Sequence, residues 1–141
     1  MSSASLEADA PLRPLAKLGL AFEVVGSYVR ARRLLRGGDV RAALSQQRAV
    51  APRRPRPGDP VAAGRRLGRV VARTLAFLPG DTRCLTQSLV LTRLLASRGI
   101  ESRVVIGVRP GDAFAAHAWV ELGGIALLPT GGSAYGELVT L

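Results

Sequence analysis

The sequence predicts an α+β fold, a helical N-terminal half followed by a small antiparallel sheet. Apolar residues recur at three- and four-residue spacing as far as residue 98, after which the pattern changes to short β-branched runs. Glycine and proline, 16 and 9 residues, cluster at the joints between these runs rather than spreading through the chain.

At 141 residues and 48% hydrophobic content the chain is expected to form one compact domain. Residues 1–11 read as a disordered tail, polar and acidic, unlike the basic-then-apolar order of a secretory signal. Residues 12–78 read as an arginine-rich helical part, and residues 79–141 as the part carrying the candidate chemistry.

The first helix is expected over Leu12 to Arg36, with Leu15, Leu18, Ala21 or Phe22, Val25, Tyr28 or Val29, and Leu35 in helical register. Arg30, Arg32, Arg33 and Arg36 load its C-terminal end, where cations complement the helix dipole, and Gly37-Gly38 stops it. Asp39 is the N-cap candidate for a shorter helix, Val40 to Arg48. Residues 51–60 form a Pro/Arg linker, because proline at two- and three-residue spacing forbids a helix. Asp59-Pro60 then opens an amphipathic helix with Leu67, Val71 and Leu75 apolar and Arg65, Arg66, Arg69 and Arg73 polar.

Pro79-Gly80 marks a turn, and Asp81 or Thr82 is the N-cap of the next helix, which runs to Ser97 or Arg98 before Gly99. Cys84, Gln87, Ser88, Leu91, Leu94 and Leu95 share one stripe of it. Residues 103–108 are a strand, and Ala115 to Leu122 a second, with His117, Trp119 and Glu121 on one face. Gly123-Gly124 is a hairpin turn, from which Ile125 to Leu128 returns antiparallel. Tyr135 to Leu141 adds a last edge strand or a short helix.

The formal charge of +10 is unevenly spread: 16 basic and 6 acidic residues precede Cys84, and 4 of each follow it. A basic field of this kind suits nucleic acid, anionic lipid or an acidic polypeptide. With aromatics at 4% and no reading motif, nucleic acid is not expected as a partner. No run is apolar and long enough to span a bilayer, so no membrane is expected either. One cysteine and one histidine can form neither an internal disulfide nor a structural zinc site. Neither metal nor cofactor is expected, and the reading is a soluble cytoplasmic protein.

Cys84 falls in the first helical turn, where the helix end, its free amides and Arg83 favour a thiolate over a thiol. His117, the only histidine, is its candidate base. At these residues the chain resembles the transglutaminase-like cysteine protease family of lasso-peptide biosynthesis. The likeness rests on Cys84-Leu85 with its apolar helix, Gly99-Ile100, the strand Val104 to Val108, and Ala116-His117-Ala118-Trp119-Val120-Glu121. It implies a transglutaminase/papain-like core and removal of the leader from a ribosomally made precursor peptide. Cys84 would be the nucleophile and His117 the base, then the acid for the departing amine. Amides at the Cys84 helix start are candidate oxyanion donors, Gln87 is a weaker polar contact, and Trp119 is a cleft wall or a core residue. The length of the chain suggests the stand-alone protease of the split type, partnered by a separate leader-recognition protein and the lasso cyclase.

The family expects an aspartate on the strand after the histidine, and here no aspartate follows Asp112. Glu121 lies four strand residues from His117, about 13 Å at ~3.3 Å per residue, too far for direct contact. If Leu122 pairs with Ile125, stepping outward places Thr130 opposite His117. Thr130 or a backbone carbonyl near it is therefore expected to orient the imidazole. The missing aspartate keeps a second reading open, a non-catalytic scaffold of the same fold that presents the precursor or a partner.

Overall fold

In the structure, a computed structural model, residues 14–77, 84–109, 115–129 and 136–141 are described. The tail expected over 1–11, the turn at Pro79-Gly80 with its caps Asp81 and Thr82, and Thr130 lie outside these residues. Among the described residues four helices precede a four-stranded sheet: α1 (Pro14–Leu35), α2 (Val40–Arg48), α3 (Pro60–Ala76), α4 (Cys84–Ala96), β1 (Arg103–Arg109), β2 (Ala115–Leu122), β3 (Ile125–Ala126) and β4 (Gly136–Thr140). The α+β class read from the sequence is the class observed.

The helix starts follow local chemistry. Asp39 Oδ1 accepts from the Ala42 amide at 3.0 Å, and Asp59 Oδ1 from the Ala62 amide at 3.1 Å, so each carboxylate satisfies a first-turn donor. Pro60 then sits where its missing N–H costs nothing. Gly99, with φ +70°, ends the turn after α4, and Ile100 N reaches back to Leu95 O at 3.0 Å.

α4 is the centre of the molecule and contacts α1, α2, α3, β1 and β2. Leu89, Val90, Leu91, Leu94 and Leu95 are fully buried, together with Ser88 and Thr92. It is thus buried nearly all round, Thr86, Ser88 and Thr92 included, rather than along the single stripe the sequence suggests, because it has neighbours on most sides. α1 departs further. Its buried residues are Leu20, Val24, Ser27, Tyr28 and Ala31, whereas Leu15, Leu18, Phe22 and Val29 from the expected register stay exposed. Of the expected register, Tyr28 is buried and Leu35 packs against the core, so the helix has two apolar faces and the periodicity ran across both.

The strand order is β3-β2-β1-β4, antiparallel throughout. Of the edge strand or short helix expected at the C-terminal end, β4 is the edge strand, with a register shift opposite Ile106/Gly107. Gly123 and Gly124, φ +56° and +81°, turn the β2-β3 hairpin, and Leu122 pairs with Ile125 as expected. The return strand is shorter than predicted. After Ala126 the ladder retains the Leu127 N–H to Val120 O bond of 2.8 Å, and then Leu127 and Leu128 bend into the core. Gly64 and Gly68 of α3 receive them: a Cβ on Gly64 would lie 2.7 Å from Leu127 Cδ1, and one on Gly68 would overlap the Leu127 carbonyl oxygen. At Gly68 helix α3 can approach this backbone only because a side chain is absent, whereas at Gly64 it approaches the Leu127 side chain.

The Pro/Arg linker is extended and mostly exposed, as expected, but it is also bound. The amides of Arg53 and Arg54 donate to Ser97 O at 2.8 and 3.0 Å, and Arg56 Nη1 donates to Gly99 O at 2.9 Å. It caps the C-terminal end of α4. Among the described residues no helix is long and apolar enough to cross a membrane.

Candidate active site

Cys84 opens α4, and its half-buried thiol points at β2. Sγ accepts a hydrogen bond from the Ala118 amide at 3.3 Å. Ala118 is the residue after His117, so the α4-β2 contact brings the cysteine to within one residue of the histidine. Behind the thiol, Ser88 Oγ donates to Cys84 O at 2.7 Å and Thr92 Oγ1 to Ser88 O at 2.8 Å. These i to i−4 bonds let hydroxyls sit inside a helix whose surroundings are apolar.

His117 is half-buried, and its Nε2 lies 2.6 Å from the Pro129 carbonyl oxygen. A carbonyl only accepts, so the proton belongs on Nε2 and the lone pair of the neutral ring on Nδ1. The contact therefore selects a tautomer. On its other side the ring stacks with Trp119, centroids 5.9 Å apart and planes inclined by 28°. Trp119 Nε1 in turn donates to Glu121 Oε1 at 2.9 Å. Glu121 thus holds the tryptophan. With 6% of its surface exposed, Trp119 belongs to the core cluster. Gln87 stays half-buried, three residues along α4 from the cysteine.

A model of the transglutaminase-like superfamily matches residues 25–140. The chain belongs to this superfamily. The chain is also 54% identical over 41 residues to the Microcin J25-processing protein McjB of Escherichia coli. Those residues make up 29% of this chain and 19% of that protein, so the match spans about a fifth of the relative's length. No solved structure matches the chain.

Two parts of this transglutaminase-like site escape a residue-by-residue reading. The acceptor at His117 Nε2 is a main-chain carbonyl, which leaves no signature in side-chain types. The packing that carries Pro129 to the ring rests on the close backbone approach at Gly68, about sixty residues upstream in sequence. Two glycines one turn apart inside a helical run were the available signal, since glycine weakens a helix unless close packing needs it. Among the described residues no cluster of three metal-ligating side chains occurs.

Proposed function

We propose that the protein is a cysteine peptidase that removes the leader from a ribosomally synthesised lasso precursor peptide, delivered by a separate leader-recognition protein. The observation that carries the reading is the Cys84 thiol at the start of α4, hydrogen-bonded to the residue that follows His117. The match to a protein named for processing a microcin supports the substrate class.

In this mechanism Nδ1 of His117 takes the thiol proton as Sγ attacks the scissile carbonyl, and the tetrahedral oxyanion is held by amides at the helix start. Collapse breaks the C–N bond, and the imidazolium returns the proton to the departing amine. Water then attacks the thioester with His117 again as base, which releases the leader carboxylate and restores the thiol. The Pro129 carbonyl, or Thr130 beside it, keeps the ring oriented through both steps. Partner recognition falls to basic surface such as the exposed Arg65, Arg69 and Arg73 of α3, facing the leader or the recognition protein, with the lasso cyclase receiving the product.

The test is mass spectrometry of a candidate lasso precursor incubated with this protein, with and without the recognition protein. Leader release by the wild type, lost in Cys84→Ala and in His117→Ala while circular dichroism stays unchanged, is the expected result. Release that survives Cys84→Ala ends the reading. No release under any condition, with the precursor still bound, favours the scaffold that presents the precursor without cutting it.

A further inference from the structure

The unused apolar face of α1 has the pattern of an interface. Leu15, Leu18, Phe22 and Val29 are 84%, 56%, 70% and 41% exposed, and half-buried Val25 completes the series 15, 18, 22, 25, 29. The steps alternate three, four, three, four, which is the heptad seam by which one helix packs lengthwise on another. At ~1.5 Å per residue the seam is about 21 Å long. Gly19 and Gly26, seven apart beside it, have open space where a Cβ would stand, so a neighbouring helix can come close.

Charge identifies the occupant. Beyond Val29 the exposed side of α1 turns cationic, with Arg30, Arg33 and Arg36 all exposed. The one carboxylate of α1, Glu23, is already engaged by Arg98 at 3.0 Å and Arg54 at 3.7 Å. We infer that this face docks an amphipathic helix of a partner protein, with apolar residues at heptad spacing and carboxylates at the end that meets Arg30, Arg33 and Arg36. A second copy would set one +10 chain against another and bring no free carboxylate from its own α1. A helix lying on an anionic bilayer carries cations along its whole length. Here only Lys17 precedes the arginines within α1. The inference holds whether or not Cys84 cleaves a peptide.

The test uses the full chain and a labelled synthetic peptide of three heptads, leucine at the core positions and glutamate flanking them, with a lysine-flanked peptide as control. Fluorescence anisotropy is expected to show binding of the glutamate peptide only. The exposed-face variant Leu18→Gln/Phe22→Gln weakens it by about 10-fold or more, and Arg33→Glu/Arg36→Glu reverses the preference toward the lysine peptide. Circular dichroism and melting temperature unchanged in both variants exclude a folding defect. Absence of binding, or equal binding of the two peptides, overturns the proposal. So does a dimer in sedimentation that Leu18→Gln/Phe22→Gln dissociates, which assigns the face to a second copy. Co-sedimentation with phosphatidylcholine/phosphatidylglycerol vesicles that the same variant abolishes assigns it to a membrane.

Discussion

At its C-terminal end α4 is held by charge, whereas at its N-terminal end a thiol meets one backbone amide. Around the C-terminal end Arg98 makes a two-pronged bond to Glu23, at 3.0 and 3.3 Å, and linker amides cover Ser97 O. Cations crowd there: burial lowers the pKa of Arg93 from its ordinary value, Arg30 and Arg53 lower it further, and Glu23 opposes them. A cavity of about 720 Å³ opens at this same end, lined by Ala96, Ile100, Arg48 and Leu141. Cations at a helix C-terminus are stabilising. At the N-terminal end, where the dipole favours an anion, stands Cys84, whose side chain can become one. Under the proposed function, the difference separates a device for stability from a device for chemistry on a single helix.

The sharpest way to break the comparison is at the chemical end. Under the proposed function, Cys84→Ala and His117→Ala each lower leader release by on the order of 10³-fold or more. Denaturant unfolding should place the stability of Cys84→Ala close to wild type, because the lost Sγ contact is one weak bond to an amide, whereas His117→Ala also loses the Pro129 contact and the Trp119 stack and should be modestly less stable. A large stability loss in Cys84→Ala would mean that the cysteine is structural.

A smaller effect on rate, joined to one on stability, is expected at Gly68. Alanine improves helix propensity by ~1 kcal/mol, but its methyl meets the Leu127 backbone oxygen, which cannot rotate away. Relieving that overlap should leave Gly68→Ala about 1–2 kcal/mol less stable. It should also displace the segment that leads to Pro129, lowering turnover several-fold. Gly64→Ala is the control, since its methyl meets only the flexible end of the Leu127 side chain. Equal effects of the two substitutions, by melting temperature and rate, would refute this account of the His117 support.

Glu23→Gln probes the other end. It removes the charge that Arg98 and Arg54 share and that counters the repulsion on Arg93. The pair is part-buried, so a loss of about 2 kcal/mol is expected in urea unfolding. The rate of leader release per folded molecule should stay at the wild-type value. A parallel loss of rate would show that the two ends of α4 are not independent.

Much of this layout was legible where the chemistry is local. Asp39 and Asp59-Pro60 announce helix starts and Gly123-Gly124 the hairpin, because each works through its nearest neighbours in sequence. What escaped depends on distant partners. Periodicity on α1 offers Leu15, Leu18, Ala21 or Phe22, Val25, Tyr28 or Val29, and Leu35, of which Tyr28 joins the core and Leu35 packs against it, since a helix with two apolar faces cannot say which one the rest of the chain will cover. The return strand was drawn through Leu127 and Leu128 because nothing near them in sequence reveals that Gly64 and Gly68 wait to receive them. The contact at His117 Nε2 was foreseen only as Thr130 or a carbonyl beside it, from strand register.

That last ambiguity yields the smallest predicted effect. The Pro129 carbonyl lies 2.6 Å from Nε2, within the range of a strong hydrogen bond, and it defines the tautomer without any side chain. A carbonyl carries no full negative charge, so it orients the imidazolium while stabilising it less than a carboxylate would. If it is the orienting group, Thr130→Ala leaves the rate of leader release within about 3-fold of wild type, because removing a hydroxyl leaves the neighbouring main chain in place. A drop of 10-fold or more, with the acidic limb of the pH-rate profile shifted, would transfer the orienting role to the Thr130 hydroxyl. An unchanged profile together with an unchanged rate leaves the carbonyl as the group that replaces the family's aspartate.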